Sequence, residues 1–152
     1  MTERLNYWQV APEAANPLLA LEERFKNGPL PHSLIELVKT RASQINGCAY
    51  CLHMHTSDAL KEGERPERLF LLDAWRESRM YTPKERAALA WTEALTLVAE
   101  TAAPDEDYDG LKDHFSPEEI VDLTLLIATI NAWNRIAIGF RSHHPHDRPA
   151  AV

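Results

Sequence analysis

The sequence predicts an all-α, single-domain bundle of about six or seven helices spanning residues 1–152. Three observations carry that expectation. Apolar residues recur at three- and four-residue intervals through most of the chain, the period of one helix face. Two segments, Thr82 to Glu85 and Ser116 to Glu119, show the N-cap, Pro and Glu pattern that opens a helix. No convincing strand is found.

Residues 1–11 read as an N-terminal arm, apolar and aromatic at Leu5, Tyr7, Trp8 and Val10. Pro12 and Asn16-Pro17 bracket a helix start, and Leu18, Leu21 and Phe25 share one face before Gly28-Pro29 stops the helix. The next helix begins at Pro31. Leu34, Ile35, Leu37, Val38, Ala42 and Ile45 give it an apolar face as far as Asn46. Asn46-Gly47 ends it, since Gly tolerates the left-handed turn that closes helices. A helix from Cys48 to about Glu62 follows, stopped by Gly63.

Pro66 opens a further helix to about Arg76, with Leu69, Leu72 and Trp75 on one stripe. The helix from Thr82 carries Ala87, Ala88, Trp91, Leu95 and Val98, a face suited to a core or a helix–helix seam. Thr101 to Gly110 is acidic and broken by Pro104, so it reads as a loop. Ser116 opens the longest helix. Its Leu123 to Ile130 segment is apolar nearly all round, which implies burial on more than one side. Asn131 and Asn134 then need buried partners. Residues 144–152 read as a flexible tail.

The formal net charge is −7, from 23 acidic and 16 basic residues. That balance argues against nucleic acid or an anionic membrane as partner, because both call for a positive surface. No apolar run approaching the roughly 20 residues of a membrane span stands out. The polar N-terminus has no signal-peptide pattern, so the expected compartment is the cytoplasm.

The chemistry concentrates between Glu36 and His55. Cys48 and Cys51 are the only two cysteines. With Cys48 opening a helix, Cys48, Cys51 and His55 fall at i, i+3 and i+7, on one face. A free thiol has a pKa of about 8.5, and a helix N-terminus or a Cys-x-x-Cys setting lowers it. Thiols at this spacing can close a disulfide, one sulfur attacking and the other resolving. His55 is placed to shuttle a proton, and Glu36 on the preceding helix can orient it.

Other readings remain open at this point. A structural disulfide conflicts with a reducing compartment. A zinc site drawing on Cys48, Cys51, His53 and His55, with the tail residues His143, His144 and His146 as the source of a second ligand pair, is a second alternative. Two buried, inert cysteines are a third. A thioredoxin fold requires a βαβ setting, which the sequence lacks. On periodicity alone Glu36 reads as a solvent-facing residue.

Glu36, eleven intervening residues, Cys48-x-x-Cys51, three more and then His55 resemble the signature of the AhpD-like alkylhydroperoxidases, within the carboxymuconolactone decarboxylase superfamily. The resemblance implies an all-helical bundle that assembles into homo-oligomers, trimers or hexamers. It implies reduction of a small organic hydroperoxide without metal, haem or other cofactor, with an external dithiol restoring the pair. By position, Cys51 is the peroxidatic thiol, Cys48 the resolving one, and His55 with Glu36 the proton relay. Glu36 thereby becomes a buried relay carboxylate. One departure stands out: peroxidase members carry a histidine just before the second cysteine, where this chain has Tyr50. A phenol of pKa near 10 is a poor proton shuttle at neutral pH. A redox-sensing or disulfide-exchange protein is therefore the alternative to a peroxidase, with a helical binding protein third and lactone decarboxylation ranked low.

Overall fold

The computed structural model describes residues 2–145. Among the described residues there are nine α-helices, two short 3-10 turns and no strand. They are α1 (Tyr7–Val10), α2 (Asn16–Lys26), α3 (His32–Asn46), α4 (Ala49–Lys61), α5 (Pro66–Phe70), α6 (Pro83–Thr96), α7 (Val98–Thr101), α8 (Asp105–Lys112) and α9 (Pro117–Phe140). The all-α class holds, and the count exceeds six or seven because α1 and α8 lie in stretches read as arm and loop, and α7 is split from the helix that opens at Thr82.

Both capping boxes form as the sequence requires. Thr82 and Glu85 satisfy each other's backbone N–H groups at the start of α6, and Ser116 and Glu119 do the same for α9. The expected loop at Thr101 to Gly110 instead holds α8. Pro104 sits in extended conformation at the N-cap, where a missing N–H costs nothing. Asp105, Glu106 and Asp107 then face the positive end of the helix. The expected helix from Pro66 to Arg76 is interrupted after Phe70. There Arg86 donates to the carbonyls of Trp75, Arg76 and Ser78, which stabilises an irregular path.

Helix α3 is the hub. Its Leu34, Ile35 and Val38 join Phe25, Ala88, Trp91, Leu111, Leu123, Leu126 and Ile127 in the largest apolar cluster. Leu37 belongs to a second cluster with Leu69, Leu72, Trp75, Tyr81 and Leu89. Ala42 joins a third with Cys48, Cys51, Ile130 and Ala137. The site is therefore held by α3, α4 and α9 together.

Helix α9 has 24 residues, and its most apolar window has a mean hydropathy of 1.3. By length and composition it is long and apolar enough to cross a membrane, which the sequence reading did not register. Its packing accounts for that composition. Leu123, Leu126, Ile127 and Ile130 are fully buried, while Val121, Leu125 and Ile138 remain exposed. Buried Asp122 is tied to α2 by Arg24 at 2.6 Å.

Candidate active site

The sequence builds the site through one turn. Gly47 adopts a left-handed conformation, φ 68°, which closes α3 and lets the chain reverse directly into α4. Cys48 is the N-cap of α4 in extended conformation, and its Sγ accepts the Cys51 backbone N–H at 3.3 Å. The two sulfurs lie 2.6 Å apart, both as free thiols, so closing a disulfide needs little backbone change. Each cysteine is only 1% exposed.

His55 lies one turn past Cys51 and is buried. Its Nδ1 is 2.9 Å from Glu36 Oε2 on α3. Glu36 is thus mostly enclosed, with 14% of its side chain exposed, as the family resemblance implied and contrary to its reading from periodicity alone. A carboxylate accepting from an imidazole fixes the ring's orientation.

The two sulfurs open into different cavities. Cys51, His55 and Glu36 line a cavity of about 300 Å³ whose apolar walls include Tyr7, Trp8, Trp133 and Met54. Cys48 lines another, of about 200 Å³, reaching Ile138, Arg141, Ser142 and His143. Tyr50 and Ala137 line both, so they form the partition.

The reduced pair is electrostatically unequal. The Cys51 S–H and its backbone N–H both bond to the Cys48 sulfur, and Asn134 adds a further hydrogen bond. Against the opposing effect of burial, these bring the Cys48 pKa down to about 7. Cys51 is pushed well above the ordinary thiol range, by its hydrogen bond to Cys48 and then by burial. Within the cavity, burial and then the neighbouring Tyr50 raise the Tyr7 pKa, so Tyr7 stays a neutral phenol.

Several residues were not singled out from the sequence. Lys39 is buried on α3 and ion-paired to Glu22 of α2. Trp133 Nε1 donates to the other oxygen of Glu22 at 3.1 Å. All three line the Cys51 cavity. Behind the thiols, Asn46 Nδ2 donates to Asn131 Oδ1 at 2.9 Å and to Asn134 Oδ1 at 2.8 Å. Asn134 in turn donates to Ser43, and Asn131 to Thr96. The buried partners that Asn131 and Asn134 required are thus present. A signal existed in the sequence: Glu36, Lys39, Ser43 and Asn46 recur at helical spacing and form a polar stripe along α3.

The N-terminal arm is part of the site. Trp8 packs on Trp133 and Tyr7 stacks on Phe140, with ring centroids 6.2 and 5.6 Å apart. The Arg4 backbone N–H donates to the Phe140 carbonyl at 2.9 Å, which ties the arm to the end of α9.

Among the described residues, no group of three or more His, Cys, Asp and Glu side chains is placed to hold a metal ion. His53 stacks on His144, with centroids 4.7 Å apart, and does not join Cys51 and His55 in their cavity. His146, and with it nearly all of the tail expected at 144–152, lies outside the described residues.

The model of the carboxymuconolactone decarboxylase family matches residues 12–94, a span that contains Glu36, Cys48, Cys51 and His55. The chain belongs to this family. Within it, the AhpD-like branch is the one that the fold and the relatives support. An uncharacterised protein of Bacillus subtilis, YdfG, is 44% identical over 138 residues, covering 91% of this chain and 94% of the relative. A crystal structure from Agrobacterium tumefaciens superposes with a TM-score of 0.92 at 47% identity, covering 96% of this chain and all of that one. That protein is of unknown function and provisionally assigned to antioxidant defence as AhpD. The debrominase Bmp8 shares the fold, with a TM-score of 0.75 at 22% identity, over 89% of this chain and 73% of the other. That likeness is one of fold.

Proposed function

We propose that the protein is a thiol-dependent reductase of small organic hydroperoxides. The carrying observation is that Cys51, His55 and Glu36 line one aromatic-walled cavity while the Cys48 sulfur waits 2.6 Å behind Cys51. Walls of Tyr7, Trp8 and Trp133 favour an organic hydroperoxide over hydrogen peroxide, because apolar surface of the substrate is buried there.

Cys51 begins protonated, with its proton shared toward Cys48. For attack the proton passes to His55, and the Glu36 carboxylate holds the resulting imidazolium. The thiolate attacks the terminal peroxide oxygen, and the O–O bond breaks. His55 returns the proton to the departing alkoxide, which leaves as alcohol. The Cys48 thiol then attacks the Cys51 sulfenic acid; the S–OH bond breaks as the disulfide forms, and the thiol proton leaves with the hydroxide as water. An external dithiol then restores the pair through Cys48. The working unit in this reading is a homo-oligomer, and light scattering is expected to give the mass of a trimer or hexamer.

The test mixes fully reduced protein with one equivalent of cumene hydroperoxide and follows free thiols. Prompt loss of both thiols and a Cys48–Cys51 disulfide by mass are expected, and Cys51→Ser abolishes turnover. Thiols that survive the peroxide reject this reading. The second reading, disulfide exchange or redox sensing, is favoured by Tyr50, which places no imidazole between the two cysteines. A disulfide that cycles readily with dithiols but ignores peroxide supports it.

A further inference from the structure

The cavity over Cys48 differs in charge from the rest of the molecule. The chain carries 23 acidic residues and a net charge of −7. The Cys51 cavity is lined by both signs of charge, Glu22, Glu36 and Asp58 with Lys26 and Lys39. Among the described residues, no carboxylate lines the Cys48 cavity, and Arg141 and His143 do. Arg141 is the C-cap of α9, held in a left-handed conformation with φ 57°. Among the described residues its guanidinium meets no carboxylate, unlike Arg24, Arg41, Arg68 and Arg76, which are all ion-paired. A cation with no carboxylate partner among the described residues thus lines the cavity over Cys48.

Size narrows the reductant further. Cys48 is almost fully buried, and its cavity of about 200 Å³ admits a molecule of only a few non-hydrogen atoms beside the sulfur.

We propose that the Cys48 cavity is a binding site for a low-molecular-weight thiol bearing a negative charge, which Arg141 holds while the thiolate attacks Cys48. The inference rests on the reading of Cys48 as the sulfur that meets the reductant. The thiolate attacks Cys48 Sγ of the disulfide, and the Cys48–Cys51 bond breaks. Cys51 leaves as a thiolate into the cavity of His55, which protonates it. A second thiolate attacks the reductant's sulfur in the mixed disulfide and frees Cys48 as its thiolate. Two thiols are oxidised to one disulfide, and the protein disulfide is reduced to two thiols.

The test does not use peroxide. Protein oxidised to the disulfide with diamide is treated separately with 3-mercaptopropionate, 2-mercaptoethanol and cysteamine, which are similar in size and carry negative, neutral and positive groups. Rates are expressed per thiolate and divided by the rate of the same thiolate with a neutral small-molecule disulfide, which removes the differences in thiolate fraction and in intrinsic nucleophilicity. Wild type is expected to react with 3-mercaptopropionate about fivefold faster than with cysteamine at low ionic strength, as one exposed charge pair allows. The preference should vanish in Arg141→Gln, persist in Arg141→Lys and shrink as salt is added to the wild type. Trapping with iodoacetamide should place the mixed disulfide on Cys48. Equal rates for the three thiols, or cysteamine fastest, overturn the proposal, as does a mixed disulfide on Cys51. Because the disulfide is made chemically, failure here leaves the peroxidase reading standing. Failure of the peroxide assay likewise leaves this preference measurable.

Discussion

His55 Nδ1 lies 2.9 Å from Glu36 Oε2, across the seam between α3 and α4, with both groups largely buried. Both residues line the Cys51 cavity, so the pair borders the space beside that sulfur. Replacing Glu36 by Gln keeps the shape and removes the charge that stabilises the imidazolium. Hydroperoxide turnover in Glu36→Gln is expected to fall about a hundredfold or more, with the helical circular dichroism unchanged. Turnover within twofold of wild type would remove Glu36 from the relay.

The pKa of about 7 at Cys48 yields a spectroscopic prediction. The ultraviolet absorbance of thiolate should rise by one equivalent with a midpoint near pH 7, while Cys51 stays protonated through that range. Cys51→Ala removes the main hydrogen bond to the Cys48 sulfur and should move the midpoint upward, toward an ordinary thiol. Cys48→Ser should abolish the step. A midpoint unaffected by Cys51→Ala would mean that the helix N-terminus alone lowers the pKa.

Trp8 reaches the site only because the arm is tied to the end of α9. Trp8→Ala opens one wall of the Cys51 cavity. KM for cumene hydroperoxide should rise several-fold, whereas the rate with hydrogen peroxide, which gains little from an apolar wall, should stay near wild type. Equal losses for both peroxides would show that Trp8 supports the structure and does not contact the substrate.

The asparagine network behind the thiols is closed, so its loss should be costly. Asn134→Ala leaves Ser43 and Asn46 short of a buried partner, and is expected to destabilise the fold by about 1–3 kcal/mol in urea unfolding. The same change removes a hydrogen bond from both sulfurs, so the thiolate midpoint should also move up. A stability loss with no shift in midpoint would confine Asn134 to packing.

Glu93 gives the stability profile a sign. Burial raises its pKa, but hydrogen bonds from Arg76, Trp75 and Arg41 outweigh burial and leave it below the usual carboxylate range. A depressed folded-state pKa stabilises the fold above the unfolded value of about 4.3 and withdraws that stability as pH falls through the folded value. Glu93→Gln should therefore lower Tm at pH 7 and narrow the gap from wild type as the solution is acidified below about pH 4. A gap that is constant with pH would remove the ionised carboxylate from the account.

The sequence by itself determined the all-α class, the two capped helix starts, the αL turn at Gly47, and the placement of Cys48, Cys51 and His55 on one helix face. Those follow from local rules: helical period, N-cap chemistry and the conformational freedom of glycine. Helix α8 was missed because a proline next to an acidic run reads equally as a loop or as a helix N-terminus. The irregular path from Trp75 to Ser78 is held by Arg86, on the following helix, which no local pattern reveals. Tertiary structure alone decided that Glu36 faces inward, since a glutamate among apolar neighbours is buried only where a partner such as His55 waits across the seam. It also decided that the sulfurs open into separate cavities and that the arm roofs one of them. Both outcomes arise where α1, α4 and α9 meet, from contacts between residues more than eighty positions apart, and long-range packing of that kind leaves no periodic trace in the chain.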